Sequence, residues 1–313
     1  MSNIVEYMRQ KSVESLFNTG SFNNSFQTWK PQIRAIVGEP PSIGKVIDLG
    51  DHLSDIFQST GEGGRSQSSV SSGGTAWEGL VCWYLNLCLI GTRSVVVKQL
   101  KEILPLPLKK SMTVRYGNFP SNTEADLVGI TFPNMSDYAE DISEITVNDE
   151  SGNEISREKR GGFNYLPIIN GLCERDIEGL ELAIIQCKTN WNDNAQIPML
   201  WDMVYSSSGF PGRNITIGDS AFSIDDLNKF TYSFVTVPSN DRSQYKTNST
   251  SVKRVNQLSG GNYWGYPTKS GVSNSIKEIF GKVFASGTSR GGIRSTLRSN
   301  LPNLDQDFSY FEI

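Results

Sequence analysis

Two rhythms of apolar residues run along this chain, one near 3.6 residues and one of two, and they sort it into helices and strands. Ile4, Tyr7, Met8 and Val13 recur at helical spacing, as do Val46, Leu49, Leu53 and Ile56, so residues 1–58 are expected to form short helices. Gly38 to Lys45 resembles a phosphate loop only superficially. It has one residue too many between its glycines, and Val46 stands where that loop needs Ser or Thr, so Pro40-Pro41 predicts a turn instead. The Gly/Ser-rich stretch 59–74 predicts a flexible loop. Thr75-Ala-Trp-Glu78 then has the form of a capping box opening a helix, and Leu80 to Ile90 is apolar almost all round, which predicts burial. Glu78 is the only charged side chain between Thr75 and Thr92. It either caps the helix by reaching back to the Thr75 amide or faces a site, and both readings stand.

The middle of the chain changes rhythm. Val95 to Lys98 starts a strand or helix that ends before Pro105 and Pro107. Glu124 to Phe132 predicts a strand with Glu124, Asp126 and Val128 on one face. Residues 133–180 are acidic and are expected to be an insertion of polar hairpins or loops, with a turn at 148–153. Leu182 to Ile185 runs straight into Gln186-Cys187-Lys188. Such a strand is buried on both sides, and its polar end opens into a cleft. Alternation places Gln186 and Lys188 on one face, roughly 6–7 Å apart, with Ala183, Ile185 and Cys187 on the other. Ile197, Leu200, Trp201, Val204 and Tyr205 predict a helix with Pro198 in its first turn. Residues 214–217 and 230–237 predict strands, 259–266 an aromatic and glycine-rich loop, 272–284 an amphipathic helix, and 287–300 a basic tail. Strands alternating with helices predict an α/β fold, a mixed central sheet flanked by helices.

Composition narrows the chemistry. The 313 residues carry a net charge of −4, which argues against a generic nucleic-acid binder. Residues 241–300 nevertheless hold ten basic side chains against two acidic ones, a local +8 that leaves −12 for the rest. A positive stripe on an acidic body suits a polyanion, although a solvated basic tail has the same composition. The single histidine, His52, stands apart from any nucleophile motif, which excludes hydrolase triads and histidine-metal nucleases. Cys82, Cys88, Cys173 and Cys187 form no C-x-x-C pair, and no apolar run is long enough for a membrane span. A reduced, intracellular (cytoplasmic) protein with no membrane partner is therefore expected.

An acid-bearing strand at Asp126, an apolar strand ending Gln186-Cys187-Lys188, a buried upstream helix with Glu78 and a helix directly after the second strand together resemble the PD-(D/E)XK nuclease superfamily. Within it the chain looks like a type II restriction endonuclease. Its Gln-x-Lys form is similar to that of the type IV methyl-directed restriction nucleases. The resemblance covers about residues 75–206. It departs from the family where Ala125 replaces the proline before the aspartate, where Gln186 replaces the second acid, and in the sixty or so residues between Asp126 and Gln186. Gln-x-Lys also occurs at 99–101 and 244–246, so context carries the likeness.

The resemblance implies a restriction-endonuclease-like core at 75–240 with an insertion at about 134–180. A helical segment and loop at 1–74 and a basic DNA-contacting region at 241–313 would flank it. It implies a Mg²⁺-dependent endonuclease cutting double-stranded DNA at a short site, most simply as a homodimer. Asp126, Gln186, Lys188 and Glu78 would be catalytic. Asp126, Gln186, the Cys187 carbonyl and Glu78 would hold the metal, with Glu124 a rival to Asp126. Hard Mg²⁺ prefers oxygen donors, and Lys188 would orient the water and stabilise the phosphorane. DNA contacts are expected from Arg254, Asn262, Tyr263, Trp264, Lys269, Arg290, Arg294 and Arg298, because bidentate Arg, Lys and Asn side chains read bases and phosphates. Two alternatives remain, a repair or junction-resolving nuclease of the same fold and a catalytically inactive DNA-binding protein.

Overall fold

The computed structural model describes residues 3–60, 67–100, 102–121, 125–148, 151–154, 163–189, 191, 195–207, 209–219, 221–238 and 242–313. Its centre is a six-stranded mixed sheet. The strands are β1 (Ser94–Lys98), β2 (Leu127–Thr131), β3 (Glu181–Lys188), β4 (Lys229–Thr236), β5 (Gly261–Trp264) and β6 (Asn274–Ser275), and they lie side by side in that order. β1, β2 and β3 are antiparallel neighbours, and β3 through β6 run parallel. Residues 114–116, 119–121, 209–210 and 215–217 form a separate four-stranded antiparallel sheet.

Alternation along β3 divides the apolar core. Ala183, Ile185 and Cys187 face one layer and Leu182 and Ile184 the other. The first layer is built by α1 (Ile4–Phe17), α2 (Gly20–Val37), α3 (Gln67–Cys88) and the C-terminal segment to Phe311. Its α2 face carries Phe22, Phe26, Trp29, Ile33 and Val37 at helical spacing, all buried. The second layer holds α4 (Tyr165–Arg175) and α5 (Gln196–Ser206). Gly129 in β2 admits the Phe284 ring, to which an added Cβ would lie only 2.7 Å away.

Several expectations change. α3 begins at Gln67, so Thr75 lies inside the helix and the capping role for Glu78 falls away. The predicted strand at 124–132 begins at Leu127 with Asp126 just before it, and Glu124 lies outside the described residues. The segment 133–180 is not wholly polar. Ile168, Ile169, Leu172 and Cys173 bury one stripe of α4 against the sheet. The helix predicted over 272–284 is instead strand β6, a 3₁₀ turn and the short helix Ile279–Lys282. Ser275 caps that turn, and Glu278 bonds back to the Ser275 amide, which fixes the start four residues late. The basic tail contains a helix, α6 (Gly292–Asn300), anchored through Ile293 and Leu297.

The N-terminal helices, the sheet and the C-terminus share one apolar layer, and the Trp83 indole donates to the Phe311 carbonyl at 3.1 Å. Phe311→Ala should therefore cost about 3–5 kcal/mol, the usual penalty for emptying a buried phenylalanine site. Guanidinium unfolding followed by tryptophan fluorescence and circular dichroism should show one transition moved to lower denaturant. Separate loss of a tail signal, with the main transition unmoved, would contradict this.

Candidate active site at the strand ends

Strand direction gathers the predicted residues. β3, β4 and β5 end in register at Lys188, Thr236 and Trp264. Because β2 is antiparallel to β3, it starts at that same end with Asp126 immediately before Leu127. β1 finishes there too, Lys98 lying opposite Leu127. The last paired positions of β2 and β3 are Leu127 and Ile185, so the Cys187 amide has passed the end of that ladder. The Asp126 carboxylate takes its place, with Oδ2 accepting from the Cys187 N–H at 2.7 Å. In an antiparallel strand the N–H and C=O of one residue point to the same side, so the Cys187 carbonyl faces this edge as well.

Asp126 Oδ2 also lies 3.7 Å from Lys188 Nζ, and the two side chains are 16% and 24% exposed. From the first layer, Glu78 Oε2 meets Lys98 Nζ at 3.2 Å, each side chain 22% exposed. Two carboxylates and two ammonium groups thus stand partly buried around Cys187. Burial pushes the Cys187 thiol well above its ordinary range, Asp126 and Glu78 push it further, and Lys188 opposes them. Cys82, on the helix behind, is pushed up to about 11 by burial, against the pull of Ser12 and Lys98.

Gln186 departs from its expected place. Its side chain is fully buried, and its Oε1 accepts from the Tyr232 hydroxyl at 3.2 Å. The amide oxygen expected at the metal is therefore turned toward the neighbouring strand within the core. The oxygen donors at this edge that a hard dication would require are the Asp126 carboxylate and the Cys187 carbonyl, and Glu78 is near enough for its charge to act on the Cys187 thiol. Gln186 does not fit as a ligand. Among the described residues no group of three or more His, Cys, Asp or Glu side chains is arranged to hold a metal ion.

The residues expected to touch DNA separate into three groups. Asn262, Tyr263 and Trp264 are buried in β5 and present no surface to a duplex. The Asn262 amide donates to the Val272 carbonyl, the Tyr263 hydroxyl donates to the Gly260 carbonyl, and Trp264 packs on Trp191 and Tyr245. Gly260-Gly261 before them suggested a loop. The left-handed Gly261 (φ +94°) instead starts the strand. Arg254 and Lys269 are half-buried on the helix Thr250–Val255 and on the segment after β5. Arg290, Arg294 and Arg298 are exposed, and Arg294 lines a cavity with Lys277 and Phe280 on the helical side of the sheet. The residues at either side of this segment lie at the far end of the strands, Gly287 against Ser94 and Asn300 against Gly91. Lys98, Tyr232 and Arg242 were not read as site residues. Their sequence neighbourhoods carry no motif: Lys98 reaches this end by pairing with β2, Arg242 follows β4, and Tyr232 lies mid-strand opposite Ile184.

No protein-family model matches this chain, and no curated protein compared with it does. Among the described residues no helix is long and apolar enough to cross a membrane.

All four cysteines are buried free thiols. In native protein at pH 8, iodoacetamide should leave all four unmodified while guanidinium exposes them. Mass spectrometry showing rapid native labelling of Cys187 would contradict this packing.

Proposed function

We propose that this protein is a Mg²⁺-dependent endonuclease that hydrolyses phosphodiester bonds of double-stranded DNA at a short sequence, on a restriction-endonuclease-like core. One observation carries the reading. Asp126, held by the Cys187 amide, stands 3.7 Å from Lys188 at adjoining strand ends. The helix with Glu78 precedes these strands and α5 follows them, the order that the resemblance implies. Asp126, the Cys187 carbonyl and Glu78 would hold the metal.

Hydrolysis places a hydroxide on phosphorus and a proton on the departing sugar oxygen. A bound Mg²⁺ supplies positive charge to the phosphate and acidity to a water. Lys188 points at the same space and would orient the attacking water and offset charge gathering on the phosphate oxygens. Lys98 would hold Glu78 in place. Cys187, a neutral thiol in the apolar layer, offers only its backbone. Two strands of a palindromic site are most simply cut by a homodimer.

A second reading, a DNA-binding protein without catalysis, is favoured by Gln186. Its amide is engaged with Tyr232, and each carboxylate already has a lysine close by. Incubation of supercoiled plasmid with Mg²⁺ or Mn²⁺ separates the two. Discrete fragments support the nuclease, and in that case Lys188→Ala and Asp126→Asn should each slow cleavage by about 10²–10³-fold or more. DNA that is bound yet never cut with either ion supports the second reading. Lys188→Ala cutting at the full rate would remove Lys188 from the mechanism.

A further inference from the structure

We propose that Arg242, stacked on Tyr266, forms with Lys269 a contact site for the phosphate backbone of a nucleic-acid duplex, beside the Asp126–Lys188 notch. This rests on the reading of the strand ends as a DNA site and gives it a second anchoring point.

The Arg242 guanidinium lies over the Tyr266 ring, 3.7 Å from its centroid. Tyr266 itself is buried in the second core layer, so the ring is a fixed platform. A guanidinium so placed has one face covered and its N–H edges directed outward. It has little conformational freedom left to lose on binding. The Lys269 ammonium donates to the Arg242 carbonyl at 2.5 Å, which brings a second cation to the same loop. Among the described residues no carboxylate forms an ion pair with Arg242 or Lys269. Asp55, whose charge is felt by the Tyr266 hydroxyl, is not joined to Arg242. Lys277, by contrast, is held between Asp48 and Asp51 and is already neutralised.

Position selects the ligand. Lys188, Thr236 and Trp264 are neighbours in register, so Trp264 lies two strand spacings, about 10 Å, from Lys188. Tyr266 follows two residues later, and Arg242 comes from the loop after β4. Both basic residues therefore leave the carboxyl ends of parallel strands, where open α/β sheets bind ligands. Lys188 and the Arg242–Lys269 pair thus leave the same edge of the sheet from different strands, as successive phosphates along one backbone require. A duplex carries a charge about every 1.7 Å of its axis.

Binding of a fluorescein-labelled 20-base-pair duplex, measured by anisotropy without Mg²⁺ from 50 to 200 mM KCl, tests this. The full chain is used, and thermal unfolding checks each variant. Arg242→Ala and Lys269→Ala should each weaken binding about 5- to 10-fold at the lowest salt. Each should also make the slope of log K against log salt shallower by about one. Arg242→Lys should keep the slope and lose part of the affinity, because charge survives and stacking weakens. Arg34→Ala, an exposed arginine of α2, should match wild type. Inorganic phosphate at millimolar concentration should not compete beyond its ionic strength, and specific displacement would assign the site to a free anion and overturn the proposal. Wild-type affinity and slope in Arg242→Ala would overturn it, as would a wild-type protein that binds no duplex. Failure of cleavage alone would leave the binding result standing, and an unaltered Arg242→Ala that still cuts plasmid would leave the nuclease reading standing.

Discussion

The hydrogen bond from the Cys187 amide to Asp126 is the constraint on which the strand-end arrangement depends. Beyond Leu127 and Ile185 the β2–β3 ladder stops, and a buried strand with an orphaned N–H is costly. A carboxylate on the residue before β2 repairs the ladder and is itself fixed to one strand edge. A charge-assisted bond of this kind is worth about 1.5–3 kcal/mol, against about 0.2–1 kcal/mol for a partly exposed ion pair. The amide, more than Lys188, therefore decides where Asp126 stands. Lys188 adjusts to it.

From that point the charges follow in alternation. Asp126 faces Lys188, and Glu78 faces Lys98, so the four groups cancel in the protein as it stands. On the proposed reading, a dication entering among them would draw the carboxylates away from their lysines. The freed ammonium groups would then be available to phosphate oxygens. On that reading, charge balance in the resting protein and charge supply to an anionic substrate would be two states of one set of side chains. The outer basic residues extend the same logic, because Arg242 is positioned by an aromatic face and not by an acid.

Much of this was legible in the sequence where periodicity was strong. Leu182 to Lys188 announced a buried strand with a polar end, and Asp126 preceding an apolar run announced its neighbour. The helix at 196–206 was equally plain. What failed was governed by contacts distant in sequence. Gln186 was assigned to the cleft by alternation with Lys188, yet Tyr232, forty-six positions away, draws it into the core. Asn262, Tyr263 and Trp264 followed two glycines and resembled a loop, but pairing with β4 makes them a strand. Thr75 and Glu78 formed a capping signature inside a helix that starts earlier, so a local motif yielded to a longer element. Arg290, Arg294 and Arg298 recur every four residues in a stretch expected as a basic tail, yet only Arg294 and Arg298 ride on α6, Arg290 lying before the left-handed Gly291.

The most direct test of the strand-end account is anomalous diffraction from crystals soaked in Mn²⁺ together with a short duplex. The account predicts one manganese peak within about 2.5 Å of an Asp126 carboxylate oxygen and of the Cys187 carbonyl oxygen, with a phosphate beside Lys188. Crystals containing bound duplex but no peak there, with Asp126 still held to the Cys187 amide and to Lys188, would contradict it.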